Sequence, residues 1–233
     1  QNVFTDAAGV AYLIPRVQGV TLTGSVEAGR TVAEHCGKHI KPFVLELGGS
    51  DPFVVLSDAD VKLAAHTAVK ARFLNCGQSC IAAKRFIVVK DHVKMFTDAV
   101  VKAVESFVVG NPLETETTLG PLVREEQVKK LDKQVKLAVK QGAKILCGGK
   151  SLKREGFFYE PTILTNVKPT NVLFQEEIFG PVLPILVAKD DAEALRLANQ
   201  SSFGLGASVW TQDVKKGEHF AQELEVGFVT ING

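Results

Sequence analysis

The chain has 233 residues, 45% of them hydrophobic and 23% charged, with a formal net charge of +1. That is apolar material for one large domain or two small ones, at roughly 150 residues per domain. Near-balanced charge with dispersed lysines leaves no electrostatic footprint, so neither nucleic acid nor a membrane is expected as a partner.

No apolar run approaches the roughly 18 residues of a membrane helix, and Gln1-Asn2-Val3-Phe4-Thr5-Asp6 lacks signal-peptide character. Cys36, Cys76, Cys80 and Cys147 do not form the pattern of a secreted disulfide framework. A reducing, cytoplasmic location is the expectation.

In chain order, Val20-Thr21-Leu22-Thr23 reads as a strand running into Gly24-Ser25, with Ser25 as N-cap of a helix from Val26 to about His39. Val44-Leu45-Glu46-Leu47 alternates like a strand and stops at Gly48-Gly49, and Phe53-Val54-Val55-Leu56 reads as a buried strand. Strand, helix, strand is the βαβ pattern of a parallel sheet.

Asp58 to Arg72 is helical in pattern, Phe86 to Val89 is a strand, and an amphipathic helix follows from Asp91 to about Phe107. Gly110-Asn111-Pro112 to Gly120-Pro121 is a loop. Between Glu125 and Gln141, Val128, Leu131, Val135 and Ala138 recur at helical spacing, and the intervening lysines read as a solvated face.

Strands are expected near Lys144 to Cys147, Pro161 to Leu164, Val182 to Val187, Ala207 to Trp210 and Phe228 to Ile231. Helices are expected over Ala192 to Asn199 and Val214 to Leu224. The alternation predicts an α/β protein with a parallel-rich sheet, free of internal repeats and low-complexity segments.

Three segments carry chemistry. Gly24-Ser25-Val26-Glu27-Ala28-Gly29 follows a strand and opens a helix, where backbone N–H groups could hold a phosphate; Val26 replaces the middle glycine of the dinucleotide fingerprint, and a tight turn with a capping serine is the plainer reading of the segment alone. Glu46 ends an apolar strand beside two glycines. Desolvation there would suit a general base, although a carboxylate satisfied at a strand end is the plainer reading.

Cys80 follows the polar turn Asn75-Cys76-Gly77-Gln78-Ser79 and precedes small residues, so the thiol could open a helix whose amides activate it as a nucleophile and stabilise an oxyanion. A buried small hydrophobe is the alternative. His35 and His39 are four apart without a third ligand, and no metal site is expected.

Together these segments resemble the aldehyde dehydrogenase superfamily. Leu45-Glu46-Leu47-Gly48-Gly49 is similar to its glutamate motif, and Asn75-Cys76-Gly77-Gln78-Ser79-Cys80 to its cysteine motif, at the family's spacing. Gln175-Glu176-Glu177-Ile178-Phe179-Gly180-Pro181-Val182 resembles the segment that reaches the nicotinamide ribose, and Gly120-Pro121-Leu122 and Phe158-Tyr159-Glu160-Pro161-Thr162 match further landmarks.

The resemblance implies residues 1–47 as the end of a Rossmann-like nucleotide-binding domain and 48–233 as most of a catalytic domain, about half of a family member, hence a fragment. It implies Cys80 as nucleophile and Glu46 as base, with cofactor contacts at Gly24, Ser25, Gly29, Leu47, Glu177 and Phe179. The implied cofactor is NAD or NADP, the substrate a small-molecule aldehyde, and the parent a homo-oligomer.

The stretches Leu45 to Phe53 and Ala82-Ala83-Lys84-Arg85-Phe86 are most similar to bacterial succinate-semialdehyde dehydrogenases. Several of those carry an arginine where this chain has Leu74, a departure that leaves another aldehyde open as the substrate. The alternative for the isolated chain is a catalytically silent folded or assembly unit.

Overall fold

A computed structural model of the chain describes residues 2–233. The chain forms two compact units, Gln1–Gly48 and Gly49–Gly233. In the first unit, helix α1 (Ala7–Leu13) is capped by Asp6, whose carboxylate accepts the Gly9 N–H at 2.9 Å. No residue of α1 is buried. Its sequence, Ala7-Ala8-Gly9-Val10-Ala11-Tyr12-Leu13, has no polar face to give it an amphipathic period.

Strand β1 (Val20–Thr23), helix α2 (Val26–Lys38) and strand β2 (Phe43–Glu46) follow. The strands pair in parallel, Val20 opposite Phe43 through Thr23 opposite Glu46. Ile14, Val32 and Cys36 form a small core against Val20, Leu22 and Leu45. The βαβ unit closes because the crossover helix lays one apolar face on the strands.

The second unit contains β3 (Asp51–Val55), α3 (Val61–Phe73), β4 (Ala83–Val89), α4 (Lys90–Glu105), α5 (Glu125–Lys140) and β5 (Lys144–Cys147). It continues with β6 (Thr162–Thr165), α6 (Val172–Gln175), β7 (Val182–Ala188), α7 (Asp191–Asn199), β8 (Gly206–Trp210), α8 (Val214–Gln222) and β9 (Phe228–Ile231). The sheet order is β5-β6-β7-β4-β3-β8-β9, and only the β5–β6 pair is antiparallel.

The inner strands read as continuous apolar runs because helices cover both faces of a parallel sheet. Every residue of β3 and β4 is buried. The Phe53 ring lies 5.2 Å from that of Phe86 and 5.1 Å from that of Trp210, joining three strands. Helix α5 buries Leu131, Val135 and Ala138, and Lys129 and Lys136 pair with Glu125 and Asp132 on its outer face.

One boundary departs instructively from the sequence expectation. Strand β4 begins at Ala83, three residues before Phe86, and takes in Lys84 and Arg85, both fully buried. Charged residues conceal a buried strand when backbone carbonyls satisfy them, here the adjacent turn for Lys84 and the distant Ser50, Leu197 and Ala198 for Arg85. No helix among the described residues is long and apolar enough to cross a membrane.

Candidate active site

The site in the second unit is built at the N-terminal ends of three adjacent strands. Because β3, β4 and β7 are parallel neighbours, with Asp51 opposite Ala83 and Phe86 opposite Ile185, the loops entering them lie side by side. These loops carry Gly49, Cys80 and the run Glu177-Ile178-Phe179-Gly180.

Cys80 does not open a helix, which corrects the expectation drawn above. It is half-buried in a turn just ahead of β4. Asn75 and Cys76 adopt left-handed φ of 53° and 56°, so the chain leaves α3 through a 3-10 turn, Leu74–Gly77, and doubles back into the strand. Polar side chains hold this reversal: the Asn75 amide donates to Gln78 O at 2.9 Å, and Gln78 Nε2 donates to Asn75 O at 3.1 Å. Gln78 Oε1 also accepts the Val123 N–H at 2.9 Å, tying the turn to the loop ahead of α5.

Gly77 is required sterically. Its φ is +70°, and a Cβ there would stand 2.3 Å from Gly180 O. Gly49 is required for a different reason, since its Cβ would lie 2.7 Å from Cys80 O. The motif glycines thus let backbones approach closely around the thiol.

Two buried cations organise these loops. The Arg72 guanidinium donates to Ala83 O at 3.0 Å, to Ile178 O at 2.8 Å and to Gly180 O. Lys84 Nζ donates to Ser79 O and Cys80 O, each at 2.8 Å, and to Ala82 O at 3.2 Å, and it faces Glu177 Oε1 at 3.5 Å. Burial, with Arg72 nearby, pulls the Lys84 ammonium down to about 8, against the opposing pull of Glu177 and Asp51.

Glu177 is partly exposed, and its Oε1 also accepts the Gly49 N–H at 3.3 Å. Asp51, at the start of β3, accepts the Gly206 N–H at 3.2 Å. Burial raises its carboxyl to about 6, opposed by that hydrogen bond and by the charges of Lys84 and Arg85. Burial likewise pushes the Cys76 thiol up to about 12, so Cys80 is the better-placed nucleophile of the two.

Phe179 lines a cavity of about 900 Å³ with Leu74, Asn75, Cys76 and Gln78. Phe157, Leu119, Leu122 and Val123 make much of its wall apolar. The structure therefore brings Cys80 and Glu177 together through Lys84 and sets Phe179 beside the cysteine turn.

The remaining candidates lie in the first unit. Ser25 caps α2, its Oγ accepting the Ala28 N–H at 3.2 Å. A Cβ at Gly29 would lie 2.7 Å from the Leu47 side chain, so the missing side chain permits close helix–strand packing. Gly24 has more room, its nearest neighbour being Leu22 at 3.7 Å. Glu46 ends β2, where its carbonyl accepts the Gly24 N–H at 3.0 Å. Its side chain is exposed, correcting the expectation of an apolar setting: no residue of β2 is buried, and Leu45 alone is partly covered.

Lys84, Arg72 and Asp51 are site elements that motif reading passes over. The available signal was a Lys-Arg pair inserted directly before the apolar run Phe86-Ile87-Val88-Val89.

A family model described as "Aldehyde dehydrogenase family" matches residues 7–233. The chain is 48% identical to the Mycobacterium avium protein named "Succinate-semialdehyde dehydrogenase (NADP(+))", covering 100% of this chain and 50% of that protein. It is 45% identical to the Escherichia coli "Succinate semialdehyde dehydrogenase (NAD(P)+) Sad", covering 98% of this chain and 50% of that one. A solved structure described as "Structural insights into cofactor and substrate selection by Gox0499" superimposes with a TM-score of 0.97 at 45% identity, covering 99% of this chain and 51% of that chain. The chain thus spans about half the length of the curated relatives it matches.

Proposed function

The chain belongs to the aldehyde dehydrogenase family, and we propose that the full-length protein oxidises succinate semialdehyde or a related aldehyde to the acid with NAD(P)+. The observation that carries this reading is a half-buried thiol, Cys80, on a turn pinned by a buried lysine that also faces Glu177. The names of the relatives support the substrate class and the use of NADP+ or NAD+, both of which are to be tested.

The residues present fit such a cofactor. The N-terminus of α2, entered through Gly24-Ser25, leaves the Val26 and Glu27 N–H groups for a phosphate, and the Gly29–Leu47 contact supplies the close packing of a dinucleotide-binding βαβ unit. Glu177 and Phe179 are assigned to the nicotinamide end. The domain reading follows: 1–47 as the end of the nucleotide-binding domain and 48–233 as catalytic.

In the proposed reaction the Cys80 thiolate adds to the aldehyde carbon, forming a C–S bond and a tetrahedral oxyanion that the Cys80 N–H helps to hold. A bound NAD(P)+, its nicotinamide end held by Glu177 and Phe179, would supply the hydride acceptor that takes this carbon to the acyl level. A thioester on Cys80 results. Glu46 is assigned as the base that takes a proton from water, whose oxygen attacks the thioester carbonyl. The C–S bond breaks, releasing the acid and regenerating the thiolate.

The test is a panel of aldehydes offered to the full-length protein with each cofactor and followed by nicotinamide absorbance. Cys80→Ala is expected to lose at least about 10⁴-fold in kcat. Glu46→Gln is expected to accumulate a thioester visible by intact mass. Turnover that survives in Cys80→Ala sinks the nucleophile assignment, and normal thioester hydrolysis in Glu46→Gln sinks the base.

A further inference from the structure

Lys84 is a fully buried ammonium inside a strand whose seven residues are all buried. Removing such a group from water costs several kcal/mol unless partners replace the hydration. A well-packed apolar side chain at such a place is often neutral or stabilising. Sheet stability therefore does not account for a lysine at this position, and its contacts do.

Three of those contacts are the turn carbonyls of Ser79, Cys80 and Ala82, and the fourth is Glu177 Oε1. Anchoring the neighbouring backbone is already the task of Arg72, which holds Ala83 O and Ile178 O. Lys84 differs from Arg72 in reaching a partly exposed carboxylate. The Gly49 N–H meets the same oxygen from the third loop, and Gly49 itself packs against Cys80 O. One ammonium thus joins the thiol's own peptide group to a side chain that faces solvent.

We propose that Lys84 is a positioning residue that holds Glu177 and the Cys80 turn in fixed register, setting the nicotinamide end of the cofactor against the nucleophile. This rests on the reading of Cys80 and Glu177 given above. Lys84 touches neither substrate nor cofactor in this role. It acts through Glu177 on cofactor affinity and through Cys80 O on the placement of the thiol.

The experiment is a double-mutant cycle in the full-length protein with Lys84→Met, Glu177→Gln and the pair, read as the Kd for NADP+ and NAD+ and as the cofactor KM against kcat. Lys84→Met is expected to weaken nucleotide binding by about tenfold, the scale of a lost charge-assisted hydrogen bond. The pair is expected to be no weaker than Glu177→Gln alone, because the two substitutions break one connection. Should Lys84→Met fail to fold, Lys84→Gln, which keeps an N–H donor without the charge, carries the same comparison.

Nucleotide affinity unchanged in the lysine variant, or losses that simply add in the pair, overturns the positioning role while leaving the proposed activity standing. No nucleotide binding by the unsubstituted protein overturns the cofactor reading and this role together. A purely structural lysine would lower the thermal midpoint with no change in Kd.

Discussion

The Lys84 ammonium stands 2.8 Å from the carbonyl oxygen of Cys80, and no part of its side chain is exposed. A charge four residues past the candidate nucleophile in sequence thus folds back beneath it. The turn that presents the thiol is fixed through its carbonyls, which leaves the Cys80 side chain itself partly open to solvent. Rigid backbone under a reachable side chain is the arrangement a covalent catalyst needs.

The four cysteines should therefore differ sharply in reactivity. Cys36 and Cys76 are buried, and the Cys76 thiol is raised to about 12 by burial, so only ~10⁻⁴ of it is thiolate at pH 8. Brief iodoacetamide treatment at pH 8, followed by peptide mass mapping, is expected to label Cys80 while Cys76 stays free. Labelling of Cys76 ahead of Cys80 would contradict the burial on which the choice of nucleophile rests.

Gly77→Ala should be costly although it adds one methyl group. The residue is left-handed, and the new Cβ would meet Gly180 O, a backbone atom held in place by Arg72. Strain and clash together predict a loss of about 2–3 kcal/mol in urea unfolding. A midpoint within error of the unsubstituted protein would show that the loop before β7 can move aside.

Asp51 predicts a pH dependence of unusual sign for a carboxylate. Its folded value, about 6, lies above the ordinary 3.8, so between these limits the folded state binds a proton that the unfolded state has released. Stability from this group falls as pH rises through that window, and above it the deficit is complete, at about 3 kcal/mol or less. Asp51→Asn keeps an acceptor for the Gly206 N–H and cannot ionise. Its advantage over the unsubstituted protein in denaturant midpoints is expected to grow from pH 4 to pH 7. An advantage that stays constant or shrinks over that range would refute the raised carboxyl.

Local patterning decided a good deal about this protein. Ser25 before an amphipathic stretch is the cap of α2, Phe53 to Val55 and Phe86 to Val89 are central strands, and Val128 to Ala138 marks the inner face of α5. The cysteine and glutamate motifs led to the family without any geometry. Each of these signals lies within a dozen or so residues, the range over which helical and strand periodicity operate.

Other features depended on pairing between distant segments. That β4 lies between β3 and β7, bringing Gly49, Cys80 and Glu177 to one sheet end, follows from strand order, which no local pattern encodes. The burial of Arg72 and Arg85 follows from it too, because their partners include carbonyls as remote as Ile178 and Leu197, and Lys84 meets the equally remote Glu177 carboxylate. A charge reads as surface until its acceptors are known. The exposure of Glu46 was hidden for the same reason, being set by what surrounds the segment and not by the residues within it.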